Sequence, residues 1–131
     1  ISKACQIVKE TLELIEELIS PGITPMELDR KAEKFIISKG AKPGFKGLYG
    51  YPATLCVSID DEVVHGIPNE RVLKEGEIIS VDVGSIVDGY YGDHAKSFPV
   101  GKISNEKKPN SFIILKKLDK PSFRFNTFAC Q

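Results

Sequence analysis

The 131-residue sequence predicts an α+β fold. Two amphipathic helical stretches come first, and the hydrophobic period then shifts from three-to-four residues to two. The last two strand-like runs are joined by Asp88-Gly89, a strong signal for a two-residue hairpin turn.

The first helix carries Ala4, Val8, Leu12, Ile15 and Ile19 on one stripe and stops before Pro21-Gly22. Thr24-Pro25-Met26-Glu27 reads as a capping box with proline at the first helical position. The second helix it opens buries Leu28, Ala32, Phe35 and Ile36 and ends at Gly40. Both helices are scaffold. Thr54 to Ile59 is an apolar, β-branched strand followed by a turn at Asp60-Asp61, and Glu62 to His65 is a second short strand. A loop at Gly66-Ile67-Pro68-Asn69 and a turn at Lys74-Glu75-Gly76-Glu77 lead to the hairpin strands, Ile78 to Val87 and Tyr90 to Val100.

Composition narrows the function. A hydrophobic fraction of 41% permits one cored domain, and 18 basic residues balance 18 acidic ones. A neutral chain of this kind is not a strongly basic nucleic-acid binder, and no apolar run is long enough to cross a membrane. The N-terminal residues lack the layout of a secretion signal, and three scattered cysteines form neither a disulfide framework nor a zinc knuckle. A cytoplasmic protein with reduced thiols is expected. The charge is nonetheless uneven: residues 107–131 carry six basic residues against Asp119 alone, a net +5, which leaves −5 on residues 1–106. Two segments are therefore expected, a 1–106 domain and a 107–131 basic, phenylalanine-rich tail.

The chemistry concentrates on the hairpin. Asp82 interrupts an otherwise apolar strand, where an unpaired carboxylate costs several kcal/mol. If Val87 pairs with Tyr90, then Asp93 lies opposite Gly84, and Asp82, Gly84 and Asp93 project from one face. The two carboxylates become diagonal neighbours roughly 7–8 Å apart at the backbone, with Gly84 leaving open space between them. Like charges so placed call for a shared proton or a cation. A pair of divalent metals about 3.5–4 Å apart would fit between them.

These residues also carry a resemblance. Asp82-Val83-Gly84 and Asp88-Gly89-Tyr90-Tyr91-Gly92-Asp93, preceded by Val64-His65-Gly66-Ile67-Pro68, Tyr51-Pro52 and Cys56-Val57-Ser58-Ile59, resemble the N-terminal half of the type I methionine aminopeptidases over residues 1 to about 105. The resemblance implies the pita-bread fold and removal of the initiator methionine from new polypeptides. It implies two divalent ions (cobalt, manganese, iron or zinc), with Asp82 and Asp93 as two of five protein ligands. His65 would be a catalytic residue contacting substrate near the scissile bond, and Tyr51 and Cys56 would line the methionine pocket. His94, next to Asp93, points to the other face. The remaining ligands of such a site, one histidine and two glutamates, belong to a C-terminal lobe, so this chain alone is expected to be an inactive fragment that self-associates. The competing readings are a non-catalytic binding module on the same half-fold and an unrelated magnesium-dependent phosphate enzyme. The latter lacks a phosphate-cradling glycine loop.

Overall fold

The computed structural model describes residues 2–61 and 66–102. Helix α1 spans Lys3–Leu18 and α2 Pro25–Ser38. Four strands follow: β1 Lys42–Pro43, β2 Leu55–Ile59, β3 Ile78–Val87 and β4 Tyr90–Pro99. The α+β order is as expected. The strand expected at 62–65, His65 itself and the tail 107–131 lie outside the described residues.

Each helix begins for a visible reason. The Ser2 side chain accepts from the Cys5 amide at the start of α1. The expected capping box opens α2: Glu27 N donates to Thr24 Oγ1 at 3.2 Å, and Thr24 N donates to the Glu27 carboxylate at 3.0 Å. The buried stripe of α1 is wider than the anticipated one, adding Ile7 and Thr11 to Ala4, Val8, Leu12 and Ile15. Leu28, Ala32 and Ile36 of α2 are fully buried, whereas Phe35 is only half-buried. Cys56 is a free thiol.

Strand β3 is the centre of the antiparallel sheet. Strand β4 runs along one edge for its whole length, and the other edge is shared by β2 against residues 79–83 and β1 against residues 85–86. The turn residues Asp88 and Gly89 both have positive φ, 50° and 82°, as a two-residue primed turn requires. That turn sets the register, with Val87 opposite Tyr90 and Gly84 opposite Asp93.

Odd-numbered residues of β3 face the helices. Ile79, Val81 and Val83 are fully buried there with Leu55, Val57 and Phe98, under α1 and α2. Ser85 Oγ donates to the Ala4 carbonyl at 2.9 Å, seating the first turn of α1 on the sheet. Opposite Ser85 stands Gly92, where a Cβ would come within 2.7 Å of Cys5 N, so only glycine lets α1 approach this closely. The helices thus cover one face of the sheet and leave the other for the site.

Candidate metal centre

The face turned away from the helices is built in rows across the strands. Ser58, Ser80 and Ser97 are in register, with the Ser80 and Ser97 hydroxyls 2.7 Å apart. The next row is Cys56, Asp82 and Ala95, and beyond it Gly84 faces Asp93. Alternation by two therefore places Cys56, Asp82, Gly84 and Asp93 on one side, as a strand must. All of these side chains except glycine are half-buried. His94 faces the other way and is exposed, as expected.

The two carboxylates stand apart from three other acids that hold the fold. Asp29 accepts from the Thr54 and Leu55 amides at 2.9 and 2.8 Å. Glu77 accepts from Arg71 Nη2 at 2.6 Å and from the Lys74 amide at 2.8 Å. Asp60, at positive φ, accepts from the Ile78 amide at 2.9 Å and closes the turn after β2. Among the described residues neither Asp82 nor Asp93 has an ion pair, and Asp82 accepts from the Val83 amide. Burial, reinforced by the charge of Asp93, pushes the Asp82 carboxyl up to about 7. Burial also raises Asp93, against a smaller opposing effect of His94. Two carboxylates set across neighbouring strands without a counter-charge among the described residues are suited to a hard cation. The pair supplies only part of a coordination shell: no group of three or more His, Cys, Asp or Glu side chains among the described residues could hold a metal.

One feature differs from the sequence expectation. The space over Gly84 is not empty, because the Phe45 ring lies against it. A Cβ on Gly84 would sit 2.9 Å from Phe45 Cε1. Phe45 arrives there because Gly44 follows β1 and donates its amide to the Gly84 carbonyl at 2.8 Å. From Phe45 the chain turns through a short 3₁₀ segment, Leu48–Gly50, and returns to the site at Tyr51.

Tyr51 and Cys56 do come to the site. Tyr51 Oη donates to the Leu55 carbonyl at 2.7 Å, which fixes the ring beside β2. Cys56 stands directly across the strands from Asp82. Burial raises the Tyr51 hydroxyl well above the usual tyrosine range, with help from its contact with Cys56. Burial pushes the Cys56 thiol up to about 11, against its hydrogen bond with Tyr51 and with the charges of Asp82 and Asp29. The thiol therefore stays protonated at neutral pH and behaves as a small, soft, largely apolar group. His65 lies outside the described residues. Its neighbour Gly66 accepts from the Val57 amide at 2.8 Å, and a Cβ there would overlap the Val57 carbonyl.

No chemistry is expected of α2 from its sequence, and Asp29 has no role in that expectation. The signal was present: Pro25, Leu28, Asp29, Ala32 and Ile36 form one buried helical stripe, and an acid on such a stripe needs donors. Its carboxylate holds the start of β2, and hence Cys56, in place.

A sheet with helices on one face and a carboxylate pair on the other matches a known class. Residues 1–119 match the profile of metallopeptidase family M24, and the chain belongs to that family. It is 52% identical to the methionine aminopeptidase of Clostridium perfringens over 104 residues, covering 79% of this chain and 42% of that protein. It is 50% identical to the methionine aminopeptidase of Helicobacter pylori over 102 residues, covering 78% of this chain and 40% of that one. The crystal structure of methionine aminopeptidase from Thermotoga maritima superposes with a TM-score of 0.76 at 39% identity, covering 79% of this chain and 42% of that chain. The fold is thus the pita-bread fold seen in these proteins and in the Xaa-Pro dipeptidase of Bacillus anthracis (TM-score 0.68, 26% identity). The chain spans about two fifths of the length of the relatives it matches.

Proposed function

We propose that this chain provides the N-terminal half of a methionine aminopeptidase site, which removes the initiator methionine from new polypeptides. The observation that carries the reading is the Asp82–Asp93 pair, diagonal neighbours on one face of β3 and β4 and without a counter-charge among the described residues.

In this reading Asp82 and Asp93 hold one side of a pair of divalent ions (cobalt, manganese, iron or zinc). When bound, such ions polarise the scissile carbonyl and supply a nucleophile at neutral pH. Asp82 would serve there in its ionised form, the form that its burial beside Asp93 disfavours. Tyr51 and Cys56 form the pocket wall nearest the carboxylates. A protonated thiol and a fixed aromatic ring suit a flexible thioether, and Phe45 extends the apolar surface over Gly84. His65 contacts the substrate near the peptide bond to be cleaved. The remaining ligands come from the part of the relatives that lies beyond the matched span. The chain by itself does not release methionine, because an incomplete shell fixes neither the ions nor the attacking water.

A chimera tests this. Residues 1–102 are joined to the unmatched portion of the Clostridium perfringens relative, and methionine release from a Met-Ala-Ser peptide is measured. The chimera is expected to be active, to be inhibited by a chelator, and to fall at least 10²-fold on Asp82→Asn or Asp93→Asn, the scale of losing an essential catalytic group. A folded chimera that is inactive would favour a non-catalytic binding module. Full activity in the Asp93→Asn chimera would contradict the assignment of the ligands.

A further inference from the structure

Helix α2 holds both ends of the loop that runs from Phe45 to Leu55. Asp29 and Glu33 are four residues apart, so they stand one above the other on the same side of α2. Glu33 meets the Lys46 ammonium at 2.7 Å, next to Phe45, whose ring lies against Gly84. Asp29 Oδ1 accepts from both the Thr54 and the Leu55 amides, next to Cys56. Between these ends the loop closes on itself, with the Gly47 amide donating to the Tyr51 carbonyl at 2.8 Å. The Glu33–Lys46 pair is partly exposed and Asp29 is buried, so Asp29 is the firmer of the two holds.

Leu55 is gripped at both of its backbone groups. Asp29 takes its amide, and Tyr51 Oη donates to its carbonyl at 2.7 Å. Tyr51 is anchored on this residue and Cys56 follows it directly, so one carboxylate fixes both side chains.

We propose that Asp29 is a positioning residue for the pocket wall, holding Tyr51 and Cys56 where they fit an unbranched thioether side chain. The proposal rests on the peptidase reading, and what it adds is the residue that sets the choice of side chain.

Without the acceptor, two buried amides lose their partner, and the chain must shift to find another. Such a shift carries Cys56 and the Tyr51 anchor with it. Asp82 and Asp93 are spared, because their register comes from the Asp88-Gly89 turn at the far end of the hairpin. Discrimination between apolar side chains of similar size rests on packing alone, about 10–200-fold for one methylene. The loss should therefore fall on binding and selectivity rather than on turnover.

Two measurements test this. Amide hydrogen exchange of the full chain is compared with that of Asp29→Ala, Asp29→Asn and Ile36→Val, the last a core change on α2 that touches neither amide. Asp29→Ala should speed exchange of residues 51–57 by about tenfold or more relative to the β3–β4 hairpin. Asp29→Asn, which leaves an oxygen in place, should restore the slow exchange, and Ile36→Val should affect both regions alike. In the chimera described above, methionine and leucine release are compared on Met-Ala-Ser and Leu-Ala-Ser peptides. Asp29→Ala should raise KM for the methionine peptide about tenfold, change kcat by less than about twofold, and lower the preference for methionine severalfold. Asp29→Asn should return all three, and Ile36→Val should keep them. Where Asp29→Ala does not fold, Asp29→Glu decides, since it keeps the acid and displaces the oxygen by one methylene. A folded Asp29→Ala or Asp29→Glu chimera with unchanged KM and preference would overturn the proposal. So would an equal loss of preference in Ile36→Val, which would make Asp29 a stabilising group only. A chimera inactive even with Asp29 in place would overturn the peptidase reading and the selectivity with it, whereas faster exchange confined to residues 51–57 would still assign the wall to Asp29.

Discussion

The two faces of the sheet are made by the same strands and obey different rules. Along β3, Ile79, Val81 and Val83 point into the helices and are fully buried, while Ser80, Asp82 and Gly84 point the other way. The helix side is packed apolar side chain against apolar side chain, and its contribution to stability grows with the area removed from water. The other side contains hydroxyls, a thiol, a glycine and two like-charged carboxylates, and the repulsion of the carboxylates works against folding. One face stabilises the fold and the other is held in an unfavourable arrangement by it, which is the usual relation of a site to its scaffold.

The largest effect that can separate the faces is a charge moved by one residue. Val81→Asp puts a carboxylate into the helix side with no donor near it. It should cost at least ~4 kcal/mol and abolish the cooperative thermal transition seen by circular dichroism. A normal melt would mean that the helix side is not the stabilising core.

Next comes the hinge between the faces. Asp29→Ala removes the acceptor for two buried amides, Thr54 and Leu55, and should destabilise the chain by about 2–3 kcal/mol in denaturant titration. Asp29→Asn, which keeps one acceptor oxygen, should recover part of that loss.

The site face should behave in the opposite sense. Because the folded-state Asp82 carboxyl is raised to about 7, the folded chain holds its proton more tightly than the unfolded chain, whose aspartate titrates near 4. Stability contributed by the protonated form is therefore complete below about pH 4 and is lost as pH rises toward 7, with little further change above that. Asp82→Asn should flatten this dependence and gain on the order of 1–2 kcal/mol at pH 8 in the metal-free chain, measured by thermal unfolding across the pH series. A stability that rises between pH 4 and 7 and falls on this substitution would show that Asp82 is compensated after all. Smallest of all, Ser80→Ala removes one hydroxyl of the Ser80–Ser97 pair at a half-buried position and should change stability by less than about 1 kcal/mol.

Much of this architecture was legible because it is local. The Thr24–Glu27 capping box and the Asp88-Gly89 turn each state their geometry within four residues, and the turn alone fixes the β3–β4 register that faces Asp93 toward Gly84. The parts that escaped are non-local. Nothing in Leu55–Ile59 says that it pairs with β3, which is what brings Cys56 opposite Asp82. The two-residue strand β1 carries no period, so the return of Phe45 onto Gly84 could not be anticipated, and the pocket was expected to be emptier than it is. Asp29 shows the middle case, a signal present in the helical stripe and readable only once its partners at Thr54 and Leu55 are in view.

The central claim is that the Asp82–Asp93 face is a cation face. Calorimetric titration of the full chain with manganese at pH 8 tests it most directly, beside the Asp93→Asn variant. The account predicts weak binding, with a dissociation constant of about 10⁻⁴–10⁻³ M, as for sites with few charged ligands. It also predicts that Asp93→Asn abolishes this binding. Tight stoichiometric binding that survives Asp93→Asn would contradict it.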